Sequence, residues 1–328
     1  MTNAEKLVEI WRGPMLESQH RGHAVICDAK GEIRESWGNP DLVFYPRSAS
    51  KMLQALPLIE SGAAKALHLT SEHLALACAS HQGAQIHTER VARWLAHLGL
   101  DDSALRCGSE EPRDSDARNA LIKSDAPVCQ MHNNCSGKHS GFLSVSRHLG
   151  AGPEYVDPTH PVQLAVREAF EDMTGLSSPC YGIDGCSAPN FATSLRAMAR
   201  AMARMAAGDT GSDARNLASA RLVAAMARHP ELVAGEGRAC TELMRAMGGK
   251  ATIKTGAEAV FVAILPGLGL GVAVKIEDGG TRAAEAVIAA LLVRLGVLDG
   301  DHPAAQRRMT GPIRNRRGLK VGQFRVLI

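Results

Sequence analysis

Aromatic rings are the first shortage in this chain. Phe, Trp and Tyr make up only 4% of its 328 residues, although hydrophobic residues reach 45%. The core must therefore be built mainly from Ala, Leu, Val, Ile and Met. Charge of one sign is scarce as well. The formal net charge is +3, and no dense Lys/Arg run marks a nucleic-acid surface. Arg314, Arg316, Arg317 and Lys320 amount to a mild basic patch on a solvated tail. No apolar run approaches the length needed to cross a bilayer, and Met1–Lys6 lacks the charged-then-apolar layout of a signal peptide. The expectation is a soluble, cytoplasmic protein that engages neither nucleic acid nor membrane. Also missing are a Gly-rich dinucleotide or phosphate-loop fingerprint, an internal repeat, and a linker long enough to force two domains. A single domain over residues 1–328 is expected.

Cysteine is not scarce, but its eight copies (27, 78, 107, 129, 135, 180, 186 and 240) are scattered. In a reducing compartment this pattern favours buried thiols, metal ligands or redox groups over a disulfide framework. Cys27, Cys78, Cys107, Cys129, Cys180 and Cys240 have no partner at motif spacing and read as structural. Cys135-Ser136-Gly137-Lys138-His139 and Gly185-Cys186-Ser187 are too far apart for one zinc finger. Each can offer a thiolate to a shared Zn²⁺, with His139, at i+4 from Cys135, as third ligand. The competing reading is two buried free thiols.

The periodicities predict strands over Leu7–Trp11, His23–Asp28 and Leu42–Tyr45. A helical segment follows from Ser48 to about Glu60, with a kink or end at Pro57. Further helices are predicted from Ser71, over Thr88–Leu98, over Phe142–Leu149, up to about Thr174, and over 190–207 and 213–228. The spacing of Met198, Met202 and Met205 marks packing filler. Glu258–Ile276 reads as a hairpin turning at Pro266-Gly267. An apolar helix over Ala283–Leu295 should pack on the sheet, and Gln323–Ile328 should close its edge. Strands, then many helices, then a hairpin and a helix indicate an α+β fold: an antiparallel sheet with flanking helices.

Ser48 and Lys51 stand three residues apart, on one face of the predicted helix. A serine hydroxyl becomes nucleophilic when a base takes its proton, and a desolvated lysine can serve. The bland reading makes Ser48 a helix cap and Lys51 a solvated first-turn residue. Two further elements follow in the order used by penicillin-recognising serine enzymes: Ser80-His81-Gln82 and, beside a predicted strand, Lys254-Thr255-Gly256.

Arg47-Ser48-Ala49-Ser50-Lys51, Ala79-Ser80-His81-Gln82-Gly83, Asn134-Cys135-Ser136-Gly137-Lys138-His139, Asp184-Gly185-Cys186 and Lys254-Thr255-Gly256 occur in that order. With them the chain resembles the rhizobial-type L-asparaginases over residues 7–276. The resemblance implies a fold like that of serine β-lactamases and glutaminases, a homodimer, and hydrolysis of L-asparagine to aspartate and ammonia. It makes Ser48 the nucleophile with Lys51 as base, and Ser80 with Lys254 a second Ser-Lys pair. It gives Cys135, Lys138 and Cys186 to a zinc ion that modulates rather than enables turnover, replacing His139 by a lysine. Charge complementarity and motif proximity add Arg47 for the substrate α-carboxylate and Asp184 for its α-ammonium; His81 and Gly256 complete the expected substrate contacts. The rival readings are a glutaminase, a β-lactamase-like hydrolase, and a non-catalytic zinc-containing amide-binding protein.

Overall fold

In a computed structural model, which describes residues 3–208 and 213–328, the chain gathers into two compact units. One comprises Met1–Ala49, Thr193–Ala207 and Glu242–Ile328; the other comprises Ser50–Ala192 and Gly208–Thr241. Neither unit is a continuous stretch. This is why the sequence, read as one domain, contains no linker.

The first unit holds an eight-stranded sheet, antiparallel at every pairing, and the α+β architecture follows the sequence pattern. Its strands run in the order Pro312–Arg314, Lys320–Val326, Glu5–Arg12, Met15–Asp28, Leu270–Ile276, Val260–Leu265, Thr252–Gly256, with Ile33–Trp37 paired to Met15–Asp28. The hairpin at Pro266 appears with Leu265 opposite Leu270. The expected edge strand near the C-terminus is instead internal. Lys320–Val326 pairs with Glu5–Arg12 on one side and with Pro312–Arg314 on the other, and the short Pro312–Arg314 strand becomes the edge.

Val260–Leu265 is buried at every position, because the helices Leu195–Ala206 and Thr281–Arg294 both pack on it. Met198, Met202 and Met205 are at most 1% exposed and fill that contact, as their spacing predicts. Gly271 is required there, since a Cβ would run into the Ala199 carbonyl and the Ala203 amide.

The second unit is helical. Helix Ser136–His148 lies at its centre, touching Ser71–Ala77, Gln85–His97 and Pro161–Thr174. This helix begins six residues before the predicted start at Phe142. Its first turns are polar yet buried from Ser136 to Ser146. The hydroxyls of Ser140 and Ser144 donate back to the Ser136 and Ser140 carbonyls (3.0 and 2.9 Å), and Trp94 Nε1 donates to Ser144 Oγ (3.0 Å). Internal satisfaction of this kind allows polar side chains into a core. Arg215 ties helix Ala214–Arg228 to two others by reaching Glu60 (2.7 Å), Asp172 (2.9 Å) and Glu168 (3.1 Å). Among the described residues, no helix is long and apolar enough to cross a membrane.

Candidate active site

The expected site residues are divided between the two units. In the sheet unit, Val43–Phe44 pairs with Thr193–Ser194 and delivers the chain to Pro46. From there Arg47–Ser50 forms a 3₁₀ turn, and the α-helical segments Lys51–Gln54 and Leu56–Glu60 follow. The continuous helix predicted from Ser48 is thus broken twice. Pro57 is tolerated in the first turn of the last segment, where its missing N–H is not needed.

Ser48 is half-buried, and the residue before it, Arg47, has φ 52°. A left-handed arginine costs roughly 1–2 kcal/mol, and such strain gathers at functional turns. Lys254, Thr255 and Gly256 lie on the strand itself rather than beside it. A Cβ on Gly256 would sit 2.7 Å from the Pro46 carbonyl oxygen and 3.0 Å from the Ala49 amide nitrogen. The glycine therefore lets the Lys-Thr-Gly strand close directly on the Ser48 turn. Lys254 is 1% exposed, and its amine donates to the Thr255 carbonyl at 2.7 Å.

In the helical unit, Lys51 is 1% exposed rather than solvated. Its Nζ reaches the Ala79 carbonyl, Ser80 Oγ at 3.0 Å and Cys135 Sγ at 3.0 Å. The lysine read from the sequence as partner of Ser48 stands on Ser80. It is equally a neighbour of the thiol loop. Ser80 follows helix Ser71–Ala77, and its N–H donates to the Val233 carbonyl at 2.9 Å.

The thiols Cys135 and Cys186 act on each other's titration. Cys186 and burial hold Cys135 well above the usual thiol range, while Cys135 and the nearby Lys138 amine hold Cys186 well below it. Cys186 sits at the tip of the Tyr181–Ile183/Pro189–Phe191 hairpin, beside the left-handed Ser187 (φ 68°). Lys138 Nζ lies 3.1 Å from Cys186 Sγ. Burial pulls the Lys138 amine down, but the two sulfurs outweigh it and the net shift is upward.

His139 Nδ1 takes the Tyr155 hydroxyl at 2.9 Å, while among the described residues its buried Nε2 has no hydrogen bond within ordinary distance. Burial lowers its pKa to about 4. Among the described residues, no three His, Cys, Asp or Glu side chains form a group that could hold a metal ion. Two thiols and the Lys138 amine nevertheless make a dry, sulfur-rich donor set of the kind that suits zinc, once metal binding displaces the amine and thiol protons.

His81 has both ring nitrogens engaged inside the protein. Nδ1 accepts from the Gly83 N–H (3.1 Å), so Nε2 carries the hydrogen and donates to Ser136 Oγ (2.9 Å), which donates on to the Met131 carbonyl (3.0 Å). The ring stacks on His87 at 4.7 Å, and burial holds it well below the usual histidine range. These bonds tie the Ser80 loop to the start of the Cys135 helix. Asp184 is half-buried, and its field acts on Lys138.

The sequence reading passed over Asn133, Asn134 and Glu110. Asn133 Oδ1 accepts the Cys135 N–H (2.8 Å), Asn134 Oδ1 faces Cys135 Sγ (3.1 Å), and Glu110 holds the Asn134 amide (2.6 Å). The consecutive asparagines before Cys135 were the available signal. Nothing in the sequence pointed to Glu110.

A buried lysine on one serine, and a strained serine turn closed by a lysine-bearing strand, belong to the vocabulary of serine hydrolases. The model of the L-asparaginase II family matches residues 8–326, and the chain belongs to that family. It is accordingly an asparaginase-family hydrolase. No curated protein matches the sequence. Among solved structures, a β-lactamase from Mycobacterium bovis is similar at 14% identity, covering 83% of this chain and 94% of that one, with a TM-score of 0.46. The protein Mglu, in its tris and glutamate form, is similar at 14% identity, covering 90% of this chain and 64% of that one, with a TM-score of 0.48.

Proposed function

We propose that the protein hydrolyses L-asparagine to aspartate and ammonia through a serine acyl-enzyme. The observation that carries this reading is the buried Lys51 amine on Ser80, in a chain of the L-asparaginase II family. In the proposed sequence, Ser48 Oγ attacks the carboxamide carbon while Lys51, three residues on, takes the hydroxyl proton. Backbone N–H groups near Ser48 stabilise the oxyanion. The C–N bond breaks as Ser80 relays a proton to the leaving nitrogen, which departs as ammonia. Water then attacks the ester, frees aspartate and restores Ser48. Lys254 supplies positive charge to the reaction as the second lysine. Arg47 pairs with the α-carboxylate and Asp184 with the α-ammonium, while Gly256 keeps the strand close to the Ser48 turn. His81 serves by positioning the Ser80 loop.

In the same reading, Cys135, Lys138 and Cys186 hold one zinc ion. When bound, its charge would help position substrate or water. The two Ser-Lys pairs already supply nucleophile and base, so zinc modulates rather than enables turnover. The reading carries with it a homodimer in the cytoplasm.

Two measurements test it. Ammonia release is expected from asparagine, with glutamine assayed alongside because one methylene is worth only about 1–3 kcal/mol in a shape-limited pocket. A faster rate on glutamine would make the enzyme a glutaminase, and asparagine binding without ammonia would make it an amide-binding protein. Elemental analysis of the purified chain is expected to find about one zinc per chain, lost in Cys135→Ala. A zinc-free wild type removes the metal from the account.

A further inference from the structure

A cavity lies wholly inside the helical unit, among residues that the proposed chemistry does not use. It measures about 290 Å³ and is walled by His68, Glu72, His73, Arg90, Arg93 and His97 over a leucine floor. At that size it sits near the lower end for small-molecule sites.

Its charge balance is positive. Glu72 is committed to Arg90, at 2.9 Å from Nη2, while Arg90 Nη1 donates to the Ile86 carbonyl at 3.0 Å. Arg90 Nε is left buried without an acceptor among the described residues. Arg93 reaches only as far as Glu89, at 3.9 Å, with its side chain 65% exposed. Arg93 is thus paired only loosely and at the surface, and Arg90 keeps an unused N–H.

His73 adds a donor, whereas His97 Nε2 is already taken by the Leu67 carbonyl at 3.0 Å. His73 Nδ1 accepts from the Thr70 N–H at 3.1 Å, which leaves the hydrogen on Nε2. Burial lowers the pKa of this ring below the usual histidine value. His68 occupies the left-handed region, φ 51°, just past the short helix Ala63–Ala66. Glycine is the inexpensive residue at such a position. An imidazole there places a ring on the cavity wall at a backbone cost.

Two guanidinium groups disfavour a cation, and among the described residues no His/Cys/Asp/Glu group could hold a metal. The donors come from three elements: the turn at 67–68, helix Ser71–Ala77 and helix Gln85–His97. A carboxylate offers two coplanar oxygens, whereas a tetrahedral oxyanion offers acceptors in several directions to donors arrayed this way. We propose that this cavity binds a small phosphate-class oxyanion, either free phosphate or the phosphate of a small metabolite.

The experiment titrates the full-length protein with inorganic phosphate by isothermal calorimetry, with chloride at matched ionic strength as control. Saturable binding is expected for phosphate alone. Arg93→Gln should weaken it at least tenfold without lowering the phosphate-free melting temperature, because Arg93 is exposed. Arg93→Lys, which keeps the charge but loses the fork, should fall in between. Arg167→Gln, on another exposed helix face, should bind like wild type. Absence of saturable binding, or equal affinity in Arg93→Gln and wild type, would overturn the proposal. So would a response to L-aspartate but not to phosphate, which would make the cavity a dicarboxylate site. If binding is found, phosphorylated metabolites that compete more tightly than free phosphate identify the second source.

Discussion

Replacing Ser48 by alanine is expected to reduce ammonia release from asparagine by about 10⁴-fold or more, the scale seen when a catalytic nucleophile is removed. The fold should be unaffected. Ser48 is half-buried in a 3₁₀ turn, and the helix that follows has no side-chain cap hydrogen bond to lose. A change of that kind falls within about 0.5 kcal/mol. The comparison that matters is Ser80→Ala, because Lys51 lies 3.0 Å from Ser80 Oγ. If Ser48 is the nucleophile, mass spectrometry of the quenched reaction should find the acyl adduct on the peptide containing residue 48, and Ser80→Ala should slow turnover without moving it. Retention of more than a few per cent of activity in Ser48→Ala, or an adduct on Ser80, would transfer the nucleophile's role to Ser80.

The second large effect is expected from Lys51→Met. Methionine approximates the apolar stem and so fills most of the space, but it deletes three contacts at once. The Ala79 carbonyl loses a buried partner, worth about 1–3 kcal/mol of stability. Ser80 and Cys135 lose the group that joins them. Activity should fall at least 10³-fold, the upper part of the range for a general base. Lys51→Arg should not restore it, because a planar guanidinium stays protonated and does not fit the volume of an ammonium. A Lys51→Met variant within tenfold of wild type would show that this amine takes no part in proton transfer. Both variants are best read beside their zinc content, since Lys51 touches Cys135.

Much of this was legible along the chain. Continuous apolar, β-branched runs on either side of the Pro266-Gly267 turn located a hairpin from local chemistry alone. The Met198, Met202 and Met205 spacing marked a buried helix face. The turn preceding that hairpin was not legible, because it uses Glu258 and Ala259 in left-handed conformations (φ 58° and 55°), where the residue types carry no turn signal. The start of helix Ser136–His148 was hidden for a related reason. Its first turns look like a polar loop, and only tertiary hydrogen bonds make Ser140, Ser144 and Lys138 acceptable inside a core. The same burial engages both ring nitrogens of His81 inside the protein, which residue type alone could not reveal.

What the sequence determined by itself is the sheet-forming and helix-forming segments and the set of chemical groups: two serines, the lysines, two thiols and the spacing between them. These depend on interactions a few residues apart, and local periodicity records them. Tertiary structure alone decided the partners. It put Lys51 on Ser80 and Cys135, Lys138 against Cys186, and Gly256 against the turn that carries Ser48. Such contacts join residues up to about two hundred positions apart. They are selected by which apolar faces bury together and by which buried polar groups then find a partner.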